Sequence, residues 1–144
     1  MKCMTWIAPL AVAFPTLSGC DAVSNLFQPD RVAVSLINNA DFTVNVELFI
    51  DDQQEIPREV LTEIGQKLEF SIPAGETVSF SRDCDDLQAI VIDHAELMIV
   101  GQIGPEADTD VLRDGDDFGC GDTIDFTFDH GPLVLDFDVS TAVR

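Results

Sequence analysis

Basic side chains are scarce in this chain: seven Lys and Arg stand against 27 Asp and Glu in 144 residues, giving a formal charge of −20. A nucleic-acid surface needs stripes of Lys and Arg, and so does adhesion to anionic lipid head groups, so neither partner class fits. Tyr is absent and the one Trp is Trp6, so a sugar-stacking platform would have to be built from Phe. No Gly-x-Ser-x-Gly and no phosphate-cradling glycine loop occurs, which leaves acyl hydrolysis and nucleotide binding without a motif. Paired carboxylates suit glycoside hydrolysis, yet 27 acids supply pairs by chance and single out none. Long apolar runs are missing as well. The most apolar stretch, residues 4–14, holds Pro9 and is shorter than the roughly 20 residues a spanning helix needs.

What is present argues for a folded chain. Hydrophobic residues make up 46% of the sequence and there are ten Phe, too much apolar side chain for a disordered acidic segment. The acidity itself reads as a soluble, polyanion-avoiding surface.

The N-terminus is built like an export signal, with Lys2 as its basic start, the apolar run at 4–14, small residues, and no Asp or Glu before Cys20. It closes on Leu17-Ser18-Gly19-Cys20, which resembles the lipobox of bacterial lipoproteins. That resemblance implies removal of residues 1–19 and lipidation of Cys20 as the first mature residue. It implies a partner too, a membrane of the bacterial cell envelope, held through lipid on the exported side. Each buried methylene of an acyl chain contributes about 0.8 kcal/mol, so multiple chains anchor stably without spanning. Asp21 resembles the inner-membrane retention signal of enteric bacteria, a rule that varies between groups and leaves the leaflet open. Loss of Lys2 brings the mature charge to −21, so lipid rather than electrostatics must hold the protein at a membrane. Residues 20–30 lack periodicity, contain Pro29 and read as a tether. Residues 31–144 then form one domain of ordinary size.

Through that domain, strict alternation marks half-buried strands. Val32, Val34 and Leu36 alternate, then Phe42, Val44, Val46, Leu48 and Ile50, with Asn38-Asn39-Ala40-Asp41 as the turn of a hairpin. Leu68, Phe70 and Ile72 lead through Pro73-Ala74-Gly75-Glu76 to Val78 and Phe80, a second expected hairpin. Further strands are expected at 88–92, 96–100, 123–128 and 133–139. Pro57 to Gly65 carries helical spacing, with Pro at its start and Gly at its end. About eight strands without long crossovers predict an all-β fold, a single antiparallel β-sandwich of immunoglobulin-like or transthyretin-like type.

Cys3 leaves with the signal and Cys20 takes lipid, so Cys84 and Cys120 are expected to form a disulfide in an oxidising compartment. These two cysteines also open a short internal similarity, Cys-x-Asp-x6-Asp-His-x2-Leu, covering 84–97 and 120–133 and containing His94 and His130. A Cys2His2 zinc site is disfavoured, because ten extended residues separate Cys from His by about 30 Å within each copy. Two parallel strands, with the disulfide at one end and the histidines near the other, fit better. The acids at 106–122 form the densest cluster. Asp108, Asp110, Asp114, Asp116 and Asp117 are the candidate calcium ligands, on the ground that hard cations take six to eight oxygens, although the spacing is not that of an EF-hand. The reading favoured by the sequence is therefore a non-enzymatic envelope lipoprotein with a binding or structural role and an envelope protein as candidate partner. A calcium-dependent adhesion or ligand-binding module is the alternative, and an envelope hydrolase the third.

Overall fold

A computed structural model describes residues 30–100, 104–133 and 135–144. Nine strands and one short helix follow in the order β1 (Arg31–Asn38), β2 (Val44–Asp51), α1 (Arg58–Ile64), β3 (Gln66–Ile72), β4 (Thr77–Asp83), β5 (Ala89–Leu97), β6 (Glu106–Ala107), β7 (Leu112–Arg113), β8 (Thr123–His130) and β9 (Phe137–Val143). They form two sheets. One has the order β4-β1-β8-β9; in the other β3, β2 and β5 are neighbours, and β6 and β7 both pair with β5. The inward residues of the expected alternation meet between the sheets: Val32, Val34 and Leu36 face Val46, Leu48 and Ile50, with Ile90, Ile92, Ile124, Phe126 and Phe128 filling the layer. This is the predicted β-sandwich.

Four details of the expectation are corrected. Neither expected hairpin is a ladder: β1 pairs with β4 and β8, and β2 with β3 and β5, so both turns carry the chain from one sheet to the other. The sheets are also not wholly antiparallel, because β1 and β8 run parallel. The strands expected at 88–92 and 96–100 are a single β5. Its register shifts between Glu47 and Leu48 of β2, leaving Asp93 between Ile92 and His94 as an extra residue. That bulge moves the inward set from Ile90 and Ile92 to Ala95 and Leu97, and the broken alternation mimics two strands. At the C-terminal end, β9 begins at Phe137 rather than 133, and Leu133 and Leu135 lie exposed in the preceding loop.

Both sheet-to-sheet turns are held by one side chain that sequence reading assigned only to a turn. Asn38 is 1% exposed. Its Nδ2 donates to the carbonyls of Phe42 (2.8 Å), Ile72 (2.9 Å) and Pro73 (3.1 Å), and its Oδ1 accepts from Ala40 N–H at 2.9 Å. Its main chain exchanges bonds with Glu76 and Gly75. Gly75 takes φ 73°, the left-handed conformation that a side chain resists, at the third position of the Pro73–Glu76 turn. A buried amide with donor and acceptor both satisfied replaces the ladder that an in-plane hairpin would have had.

The helix at 58–64 appears where Pro57 and Gly65 bracket it. It covers a second apolar cluster, Phe49, Ile56, Leu61, Ala89 and Val91, on the outer face of the β2–β5 sheet. Among the described residues no helix is long and apolar enough to cross a membrane.

Candidate functional site

The sandwich has two distinct ends. At the proximal end the chain arrives at Asp30, whose carbonyl accepts from Cys84 N–H at 3.0 Å. Cys84 is disulfide-bonded to Cys120 there, with Cα atoms 5.5 Å apart and a sequence separation of 36. Strands β5 and β8 leave this end in the same direction, as the internal similarity suggested, but in opposite sheets. At the distal end four connections gather, those between β1 and β2, β3 and β4, β5 and β6, and β8 and β9. Met98 N–H donates to Thr43 O at 2.8 Å, and the rings of Phe42 and His130 lie 6.1 Å apart. Cys20, the expected lipidation site, and the residues before it lie outside the described residues.

The two histidines do not converge on a common site. His94 stands mid-strand on the outer face of β5, with Nδ1 3.8 Å from Glu106 Oε2. His130 sits at a strand end. There its Nε2 accepts from Asp41 N–H at 3.2 Å, which leaves the proton on Nδ1, 2.8 Å from Gly131 O. Neither ring touches a Ser or Cys among the described contacts, so no nucleophile and base are paired.

The expected calcium ligands are spread apart and partly engaged. Asp108 accepts from Arg58 at 2.8 Å, and Arg58 also reaches Asp93 at 3.3 Å. Asp114 serves through its main chain, its N–H donating to Gln88 O and its carbonyl accepting from Gln54. Asp117 Oδ2 accepts from Arg113 N–H at 2.9 Å, and nearby Asp122 Oδ2 accepts from Gly119 N–H at 2.7 Å. These carboxylates close the turns of their own loop. Asp110 and Asp116 have no side-chain partner among the described contacts. No three His, Cys, Asp or Glu form a metal-holding group among the described residues.

A shallow depression on the outer face of the β2–β5 sheet is lined by Asn45, Glu47, Glu69, Ser71, His94 and Glu96. Its carboxylates arise from register: Glu47 stands opposite both Glu69 and His94, and Asn45 opposite Glu96. Lys67 fills the gap, donating to Glu69 at 2.8 Å and Glu47 at 3.0 Å. Those two hydrogen bonds raise its pKa above the ordinary 10.5. The Lys67 pair is a structural neutralisation of adjacent acids.

The feature that sequence reading missed is at the distal end. Met98, Val100, Leu133 and Leu135 are exposed there, Val100 at 95% and Leu135 at 81%. Expected inside strands, Leu133 and Leu135 are instead presented to solvent. Their alternation imitates a strand, and only the position of Phe137 opposite His130 shows that pairing begins later.

No family model matches the chain. No curated protein matches it either. Among solved structures it is similar to the T6SS lipoprotein TssJ1 from Pseudomonas aeruginosa, with 13% identity, a TM-score of 0.44, and coverage of 81% of this chain and 98% of that one. It is also similar to a protein from Eubacterium rectale, at 15% identity and a TM-score of 0.41, over 77% of this chain and 87% of the other. A third likeness, to a structure described as a trapped toxin, has 8% identity and a TM-score of 0.38; it covers 79% of this chain but 23% of that protein.

Proposed function

We propose that this protein is an envelope lipoprotein, anchored by lipid on Cys20, whose sandwich presents its distal loops to a second envelope protein without catalysing a reaction. The observation that carries the reading is polarity: the chain enters at Asp30 beside the disulfide, whereas the three most exposed large apolar side chains, Val100, Leu135 and Leu133, sit on loops at the opposite end. Exposed large apolar groups clustered on loops are unusual on a surface of this charge and mark contact sites more often than chance. A disulfide-stapled domain suits the oxidising side of a membrane. Anchor and contact surface would then lie at opposite ends of one rigid body.

Two measurements test this. Fatty-acid labelling should mark the wild type and not Cys20→Ala; a labelled Cys20→Ala would remove the anchor from the reading. A photo-reactive residue at Leu133 should give a discrete protein adduct in intact envelopes, while the same group at Asp85, on the proximal end, should not. Equal labelling from both positions, or from neither, would overturn the distal contact.

A further inference from the structure

We infer that the free edge of β9 is a self-association site, pairing antiparallel with β9 of a second copy about a twofold axis at Thr141.

The direction of the main-chain groups fixes what that edge offers. Thr123 and Arg144 exchange both bonds, at 2.8 and 3.0 Å, and Gly131 N–H donates to Asp136 O. The β8–β9 register is continuous between these points. Even-numbered residues of β9 therefore face β8, and Val139, Thr141 and Val143 turn their N–H and C=O groups to the open side. Among the described residues nothing pairs with these groups. Exposed edges are ordinarily guarded by Pro, charge or a bulge. Here Val139-Ser140-Thr141-Ala142-Val143 has none of these, in a chain where 24% of residues are charged.

The sequence is complementary to itself in one register. Centred on Thr141, Val139 meets the other copy's Val143, Ser140 meets Ala142, and Asp138 meets Arg144. The hydrogen-bonded pairs then fall on the odd-numbered residues whose groups are free, giving a ladder of about six bonds. Moving the centre by one residue toward either end loses the Asp138–Arg144 pairs. Arg144 retains capacity for the contact, because Nε and Nη2 bind Asp125 at 2.6 and 3.3 Å while among the described residues no contact occupies Nη1. Among the described residues Asp138 also lacks a compensating charge. It stands directly opposite Asp129 on β8, a like-charge pair that costs stability and that the partner's Arg144 would relieve.

The net charge sets the strength. Two copies of −20 repel at long range, so the dimer is weak in dilute buffer and tightens as salt screens that field. Anchoring on one surface, if Cys20 is lipidated, raises the effective concentration. Antiparallel pairing points the two proximal ends in opposite directions, so such a dimer would lie with its strands along the membrane.

The test uses sedimentation equilibrium on the mature chain carrying Cys20→Ser, at 0.05 and 0.5 M NaCl. A monomer–dimer equilibrium should appear at tens of micromolar and shift toward dimer in high salt. Thr141→Pro removes an N–H that nothing in the monomer uses, so it should abolish the dimer and leave the melting temperature nearly unchanged. Asp138→Arg should weaken association about tenfold while holding or raising the melting temperature, because it relieves Asp129. A wild type that stays monomeric to 200 μM at both salts would overturn the inference. So would a dimer indifferent to Thr141→Pro, or one tightened by Asp138→Arg.

Discussion

The two ends of the sandwich are held by different means. At the proximal end the ties are several: the Cys84–Cys120 bond, Arg144 on Asp125, and Arg113, whose guanidinium donates to the carbonyls of Gln54 and Ile56. At the distal end the two sheet-to-sheet connections depend on one neutral amide, Asn38. Redundant ties resist the loss of any one, whereas a concentrated tie fails when its single member is removed. The end that presents apolar loops is thus also the end where one side chain joins both sheet-to-sheet turns.

The largest effect should come from Asn38→Ala. It leaves three carbonyls and the Ala40 N–H without their partner in a buried setting, where each unsatisfied group costs about 1–3 kcal/mol. Partial relaxation toward water should bring the total to about 4 kcal/mol in urea unfolding. Asn38→Asp keeps the shape but removes the donors and should be at least as damaging. A loss below about 1 kcal/mol in Asn38→Ala would show that the connections hold without the amide.

Next comes the disulfide. Opening a 36-residue loop should cost about 3–4 kcal/mol in the chain-entropy model, measured as Cys84→Ser with Cys120→Ser against the wild type. The comparison sharpens in the combined variant. An eight-residue strand separates the two sites by roughly 25 Å, and effects at that distance add within about 0.5 kcal/mol. A larger coupling would mean that the ends do not behave as separate supports.

Sequence legibility follows the same division. The proximal disulfide was readable because the expected export signal would take Cys3 and the expected lipid would occupy Cys20, and the structure contains the remaining pair. The core was readable because period-two alternation and burial are the same fact seen twice: Val32, Val34, Leu36, Ile124, Phe126 and Phe128 all face inward. The distal end was not. A turn signal such as Asn38-Asn39-Ala40-Asp41 announces a reversal but not whether the returning strand pairs in the plane or crosses to the other sheet. What decides is the burial of Asn38 against Ile72 and Pro73, residues more than thirty positions away. The Asp93 bulge and the late start of β9 escaped for a related reason, since each is defined by a partner strand rather than by its own composition.

A smaller effect tests whether the proximal ties are as redundant as they look. Arg113→Lys keeps the charge but not the fork that reaches two carbonyls at once, and should cost about 1 kcal/mol. Amide exchange should quicken in α1, which follows the clamped segment, and stay unchanged at Asn39 and Ala40. A global loss comparable to that of the disulfide would place Arg113 beside Asn38 as a concentrated support.

Lys67 lies between the two ends on β3 and supplies the midpoint of the comparison. Its ammonium donates to Glu69 and Glu47, which raises its folded-state pKa above the 10.5 of the unfolded chain. A raised pKa means that the folded state binds the proton more tightly, so the stabilisation is complete below pH 10.5 and declines as pH rises through the folded value. Lys67→Met should therefore be less stable than the wild type by a constant, small amount from pH 6 to 9, the two converging only in alkali. Added salt should narrow the difference, because the lysine is solvent-exposed and the ion pairs are screened. If the gap instead varied between pH 6 and 9, another titrating group would have to be coupled to the site.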